Sequence, residues 1–237
     1  MRLSTLSVLS CAAIASAVAV TNETTTPEPT IIPNVVPSVW DGKCFYPAPD
    51  AAFDLTSYLG RWYQVAGTIA PFTAACKCIY AQYSLNVCWH LYAAAGPKSP
   101  SPLPPGQPKA RNADLPPPVF QDNGTVRVNN TCEAQGRPIN ILGTAAPADA
   151  AYGAKGVLRV QFPGQPGPSC AGPNYIVQDY TPDFALVQSS NFTTLFVLSR
   201  QQNPEEAVLD AWIARAGQLG SKLDDVVKTD QTGCQFT

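Results

Sequence analysis

Residues 58–63 have the sequence YLGRWY and open the first of a series of short strand-like runs. Gly60 permits a tight turn into this run, because glycine reaches backbone conformations that a Cβ atom disfavours. Further apolar or alternating runs follow as far as residue 199, separated by turn residues such as Asn123-Gly124 and Pro182-Asp183. This spacing is typical of an all-β barrel or sandwich.

The runs predict eight strands, which we place at residues 61–69, 78–85, 125–132, 137–144, 155–162, 174–180, 184–190 and 193–199. Eight antiparallel strands that close on themselves leave an interior just wide enough for one small ligand.

A helix is predicted after the last of these strands. Asn203 suits the N-cap and Pro204 the first helical position. The apolar stripe that follows at helical spacing consists of Val208, Leu209, Trp212, Ile213 and Ala216. We expect Trp212 to pack the helix against the outside of the barrel, with residues 226–229 as a short final edge strand.

The N-terminus indicates an exported protein, and the length of 237 residues is compatible with a single barrel domain. Residues 1–19 resemble a cleaved signal peptide, and residues 20–41 form a Thr- and Pro-rich leader that we expect to be disordered. No later apolar run is long enough for an integral membrane span. The net charge of −2 indicates no affinity for nucleic acid.

Export predicts N-glycosylation at Asn-x-Thr sequons and disulfide bonds between cysteines. The sequons are at Asn22, Asn123, Asn129 and Asn191. Of the 8 cysteines, Cys11 lies within the predicted signal peptide, so an odd number remains in the mature chain.

Segment 87–121 does not fit the strand pattern. It is rich in Pro, Ala and Gly and contains Cys88. Its removal joins Asn86 to Asp122, which leaves a compact hairpin with an Asn-Gly turn and an even number of mature cysteines. A surface insertion in a loop is the alternative, but structureless loops of this length are uncommon in compact domains. We therefore interpret the segment as a translated, unspliced intron within a domain that spans residues 42–237.

Three motifs in order resemble those of the lipocalin family. Gly60-Arg61-Trp62 resembles the family's first motif, Gln178-Asp179-Tyr180 the second, and Arg200 the third. The similarity covers residues 42–86 and 122–237 and is greatest to the branch of apolipoprotein D and the bacterial lipocalins. It implies an all-β, eight-stranded antiparallel up-and-down barrel with one C-terminal helix packed outside.

The resemblance assigns the closure of one barrel end to Gly60, Trp62, Asp179, Tyr180 and Arg200. Trp62 is expected to plug the narrow end while Arg200 lies across its ring, a cation–π contact of about 1 kcal/mol. These roles are structural, so loss of Trp62 is expected to impair folding before ligand selectivity.

The resemblance also pairs Cys78 with Cys234. The family's second bridge joins the N-terminal cysteine, here Cys44, to a cysteine after the seventh strand, where this chain has Ser189 and Ser190 instead. Cys76 and Cys132 fall near one end of a predicted hairpin, so we expect them to pair and leave Cys44 to pair with Cys170. Metal binding by Cys76 and Cys78 is the less favoured interpretation in an exported protein.

The family implies a carrier that holds a small hydrophobic ligand, such as a lipid, sterol, pigment or fatty acid, in the barrel. Strand alternation and the resemblance predict ligand contacts from Gln64, Phe72, Tyr83, Val128, Asn130, Ile176 and Phe196, with Phe72 in the loop over the mouth. No inward cation is predicted, so an anionic ligand is not favoured over a neutral one.

Catalysis is not predicted. The only histidine, His90, lies in segment 87–121, and no nucleophile motif, phosphate loop or metal-ligand cluster occurs, so we expect neither a cofactor nor a metal. Two alternatives to the carrier remain: a barrel that serves as a scaffold for protein interaction, and, less favoured, a barrel isomerase.

The intron interpretation predicts a spliced transcript. Val87-Cys88 can be encoded by GTATGT, a common splice-donor sequence, and Phe120-Gln121 by TTYCAG, an acceptor. Sequencing of cDNA is expected to show the codon of Asn86 joined to that of Asp122. A main transcript that retains the segment would contradict the interpretation.

Overall fold

The computed structural model describes residues 36–69, 73–88 and 121–237, with only the backbone of 87, 88 and 121–124. The strands and helices, in chain order, are β1 (Ser38–Trp40), β2 (Phe45–Pro47), α1 (Leu55–Tyr58), β3 (Gly60–Thr68), β4 (Lys77–Cys88), β5 (Gln121–Ala134), β6 (Arg137–Pro147), β7 (Val157–Gln161), β8 (Tyr175–Tyr180), β9 (Phe184–Gln188), β10 (Leu195–Ser199), α2 (Glu206–Gln218) and β11 (Val226–Lys228).

Strands β3 to β10 form a closed antiparallel barrel in which neighbours in the chain are neighbours in the sheet. The barrel closes where β10 pairs with β3, with Ser199 opposite Tyr63 and Phe196 opposite Gly67. Strand β11 pairs with the second half of β3. The predicted eight-stranded all-β barrel with an outer C-terminal helix is thus confirmed.

The strand directions define two ends of the barrel. We call the end at which β3 begins and β10 finishes the base, and the opposite end the mouth. The β3–β4, β5–β6, β7–β8 and β9–β10 connections surround the mouth, because each joins strands that turn there.

Trp62 and Arg200 close the base. The Trp62 side chain is fully buried, and its Nε1 donates a hydrogen bond of 2.7 Å to the carbonyl of Tyr58. The Arg200 guanidinium carbon lies 3.8 Å from the centre of the Trp62 ring. Its Nη1 donates to the Arg61 carbonyl at 2.7 Å, and its Nη2 donates to the carbonyls of Ser57 and Leu59 at 2.6 and 2.9 Å.

Gly60 and Tyr180 complete the base, whereas Asp179 does not. Gly60 has a φ of +98°, and a Cβ atom there would lie 3.3 Å from Nη1 of Arg200. The Tyr180 ring lies 6.4 Å from that of Trp62. The prediction for Asp179 is wrong: its carboxylate faces outward and forms an ion pair of 2.8 Å with Arg215 of α2.

Helix α2 packs on the outside of the barrel, as predicted. The Trp212 ring stacks on Phe184 with 5.2 Å between the ring centres, and Leu209 and Ala216 are buried in the same cluster. The helix begins later than expected, with Glu205 rather than Asn203 at the N-cap position. Val208 is 39% exposed, so it does not belong to the buried stripe.

Three disulfides join the described cysteines: Cys44–Cys170, Cys76–Cys132 and Cys78–Cys234. These are the pairs expected from the sequence. Cys44–Cys170 attaches β1 and β2 to the β7–β8 connection. Since β1 pairs with β2, regular structure starts at Ser38, before the expected end of the leader at residue 41.

Segment 87–121 leaves and rejoins the barrel at the base. Its first two residues extend β4 and its last residue begins β5, with Val87 opposite Asp122 and Cys88 opposite Gln121. The rest of the segment lies outside the described residues. The nearest regular pair is Leu85 with Val126. Joining Asn86 to Asp122, as our intron proposal requires, would leave a short loop between these paired strands.

Loss of the Trp62 ring is expected to destabilise the barrel strongly, because it leaves a cavity under Arg200. Trp62→Ala should lower the free energy of unfolding by about 3 to 5 kcal/mol, measured by urea denaturation. Trp40 provides a matched control, since its side chain is 52% exposed. Trp40→Ala should cost about 1 kcal/mol or less. Equal losses in the two variants would argue against closure by Trp62.

Candidate functional site

A cavity of about 560 Å³ occupies the interior of the barrel. It runs from the tyrosines above the base to the loops of the mouth. Its wall is mainly apolar, and the aliphatic and aromatic side chains that contribute include Ile79, Val126, Ile141, Leu158, Val160, Phe162 and Leu198. The alternation of β-strands explains this lining, because every second residue of each strand faces the interior.

Most of the predicted ligand contacts lie on the wall of this cavity. These residues are Gln64, Tyr83, Val128, Asn130 and Phe196. They come from β3, β4, β5 and β10, which the closed barrel brings together. Phe72 lies outside the described residues. Contact between these side chains and a ligand stays a prediction.

Ile176 is the exception, because it lies on the outer face of β8. It packs in a cluster with Cys44, Tyr46 and Val157 beneath the N-terminal strands. The prediction rested on regular strand alternation and on the family resemblance. A β-bulge between Val177 and Asp179 shifts this alternation by one position.

The bulge instead turns Tyr175 toward the cavity, where it meets two other tyrosines near the base. The Oη atom of Tyr175 lies 2.5 Å from that of Tyr58 and 2.9 Å from that of Tyr83. The three side chains are at most 9% exposed. We call them the tyrosine cluster. The sequence analysis missed Tyr58 and Tyr175 as wall residues, since neither follows from the alternation of a regular strand.

Burial keeps the tyrosine cluster uncharged. It raises the pKa of Tyr83 to about 12 and the pKa values of Tyr58 and Tyr175 well above 10. Desolvation of the phenolate is the main cause in each case. The cluster can therefore donate and accept hydrogen bonds but provides no charge at neutral pH.

The remaining polar groups of the wall are also neutral. Gln64 and Asn130 lie between the tyrosine cluster and the mouth, and hydroxyl residues line the mouth, namely Thr73, Ser169, Ser189, Ser190, Thr193 and Thr194. The Oδ1 atom of Asn130 is buried without a hydrogen-bond partner among the described residues. None of the described wall residues is Asp, Glu, Lys, Arg or His.

The sulfur atoms of Cys78 and Cys234 lie near a carboxylate oxygen of Glu133, in a grouping that resembles a metal site. Both sulfurs are used in one disulfide. Oε1 of Glu133 accepts hydrogen bonds from the backbone N–H groups of Gln235 and Phe236 at 2.7 and 2.8 Å. The grouping therefore holds the C-terminal tail, with no thiolate available as a ligand.

A family model described as a lipocalin-like domain matches residues 119–231. Insecticyanin from the tobacco hornworm Manduca sexta is similar in structure, with 17% identity and a TM-score of 0.51 over 81% of this chain and 87% of that one. Lobster apocrustacyanin A1 has 18% identity and a TM-score of 0.49 over 76% of this chain and 81% of that one. No curated protein sequence gives a significant match.

The match to the family model and the closed barrel together support the lipocalin family and identify the lipocalin fold. At the identity found, the similarity to insecticyanin shows the fold alone. These findings do not distinguish the apolipoprotein D branch from other lipocalins.

The raised pKa of Tyr83 predicts a loss of stability in alkaline solution. An unfolded tyrosine releases its proton near pH 10, whereas folded Tyr83 holds it until about pH 12. The folded state therefore binds more protons between these values, and the free energy of unfolding must fall as the pH rises through them. The contribution of Tyr83 to the free energy of unfolding is on the order of 2 to 3 kcal/mol. It is present in full below pH 10 and is lost as the pH approaches 12.

Urea denaturation from pH 9 to 12 measures this effect. The expected result is a steeper decline for the parent protein than for Tyr83→Phe. Both proteins are denatured with their three disulfides intact and without added thiol, because a thiolate would promote disulfide exchange. Identical slopes would show that Tyr83 titrates normally in the folded protein.

Proposed function

We propose that this protein, which has the lipocalin fold, is an exported carrier of a small hydrophobic ligand. The observation that carries the proposal is the 560 Å³ cavity with its uncharged wall. Its volume lies in the range of about 300 to 1,000 Å³ that is usual for small-molecule sites. The base is closed by Trp62 and Arg200, so a ligand would enter from the mouth.

The chemistry of the wall favours carriage over catalysis. A carrier needs apolar surface and a few polar groups that orient the ligand. A proton-transferring isomerase needs a group that ionises near neutral pH, such as His or a perturbed carboxylate. The described wall residues include neither, and the tyrosines hold their protons far above pH 7.

The three disulfides support export, since such bonds persist in oxidising compartments. Among the described residues, no helix is long and apolar enough to cross a membrane. The signal-like residues 1–19, Asn22 and the side chain of Asn123 lie outside the described part. Asn191 is exposed in the β9–β10 connection and is our preferred glycosylation site, whereas Asn129 is half-buried on β5.

A second function, binding of another protein by the outer surface, is favoured by one feature. Trp40 and Phe45 are 52% and 48% exposed, with their ring centres 4.4 Å apart. Exposed aromatic pairs of this kind are typical of protein interfaces. This function would use β1 and β2 and would leave the cavity without a role.

Titration with N-phenyl-1-naphthylamine, an uncharged fluorescent probe, tests the carrier proposal. The parent protein should bind the probe saturably with a Kd on the order of 1 μM. Phe196→Asp should weaken binding more than tenfold, because it places a carboxylate on the apolar wall.

Phe45→Asp makes the same change on the outer surface, where Phe45 is 48% exposed, and should leave probe binding unchanged. Near-ultraviolet circular dichroism establishes that both variants are folded. A folded parent protein that binds no probe would contradict the carrier proposal and favour the interaction function.

A further inference from the structure

The hydrogens of the tyrosine cluster outnumber its hydrogen bonds. Three hydroxyl groups supply three hydrogens, whereas the cluster contains only the bonds Tyr58–Tyr175 and Tyr83–Tyr175. Either atom can be the donor in each bond, but every assignment leaves one O–H without an acceptor among the described residues. A buried donor in this state costs free energy that an incoming acceptor would recover.

The cluster lies at the deep end of the cavity, next to Trp62 of the base. All three tyrosines belong to the cavity wall, and their neighbours there are apolar, including Val128 opposite Tyr83 and Leu158 opposite Tyr175. A second polar atom, Oδ1 of Asn130, lies two residues beyond Val128, about 7 Å closer to the mouth.

The charge of the wall restricts the acceptor. An ionised carboxylate would lose its hydration in the cavity and would find no cation among the described wall residues. A carbonyl or hydroxyl oxygen is dehydrated at much lower cost and needs only the one available O–H. The site therefore matches a neutral oxygen better than an anion.

We infer that the cavity selects an elongated, uncharged apolar molecule whose leading end carries a carbonyl or hydroxyl oxygen, which accepts a hydrogen bond from the tyrosine cluster. This inference rests on the proposed carrier function and specifies its ligand class. The apolar body of the ligand occupies the wall between the cluster and the mouth.

Three competitors of nearly equal size and shape test the inference by displacing N-phenyl-1-naphthylamine. They are 4-acetylbiphenyl, 4-ethylbiphenyl and biphenyl-4-carboxylate, which present a ketone, a hydrocarbon and an anion. The quantity measured is the ratio of the affinities for the ketone and the hydrocarbon. The two compounds differ in their hydration in water, but this difference is the same for every protein variant. It therefore cancels when the ratio is compared between the parent protein and a variant.

In the variant Tyr58→Phe/Tyr83→Phe/Tyr175→Phe, which removes only hydroxyl groups, the ratio should fall about five- to tenfold, corresponding to one hydrogen bond. The carboxylate should bind the parent protein at least tenfold more weakly than the ketone. Tyr152→Phe removes a hydroxyl outside the cavity and should leave the ratio unchanged.

An infrared measurement on the parent protein tests the inference even if the triple variant does not fold. The carbonyl stretch of bound, ¹³C-labelled 4-acetylbiphenyl should lie at lower frequency than in hexane, as expected for a hydrogen-bonded ketone. A carbonyl frequency equal to that in hexane would overturn the inference, as would an unchanged affinity ratio in the folded triple variant. In either case, binding of the probe would still support the carrier proposal. Absence of probe binding would overturn the carrier itself.

Discussion

The contact of Arg200 with Trp62 is the constraint on which the rest of the barrel depends. Burial lowers the pKa of the Arg200 guanidinium, and hydrogen bonds to the carbonyls of Ser57, Leu59 and Arg61 replace the water that it loses. The Arg200 donors thus join the end of β10 to α1 and to the start of β3. The pairing of β10 with β3 is the one that closes the sheet. Because the base is sealed in this way, the interior is a cup with its opening at the mouth.

Covalent bonds attach the segments that lie outside the barrel to this frame. Cys78–Cys234 fixes the C-terminal tail on β4, and Glu133 receives two backbone N–H groups of the same tail. Cys76–Cys132 joins the residue that precedes β4 to β5 beside the mouth, where Cys132 contributes to the cavity wall. These attachments restrict the strands at the mouth, which limits the adjustment that the wall can make to a ligand.

Selectivity in such a cup depends on few polar atoms, because apolar contacts distinguish ligands mainly by size. The tyrosine cluster is buried and uncharged, so it offers hydrogen bonds rather than charge to the cavity. Its geometry also explains why the three rings are near the base. Tyr58 stacks on Tyr83 and packs against Trp62, so the groups that close the barrel also hold the hydroxyls in place.

The sequence by itself determined the eight barrel strands and the outer helix through local periodicity, and the base formed by Gly60, Trp62 and Arg200 through short motifs that resemble those of a known family. Only the tertiary structure decided which residues of β8 face the interior of the barrel. A one-residue bulge reverses every side chain beyond it, which moved Ile176 to the outer face and turned Tyr175 inward. The tyrosine cluster likewise depended on the folded chain, since its members come from three separate elements that only barrel closure brings within hydrogen-bonding distance.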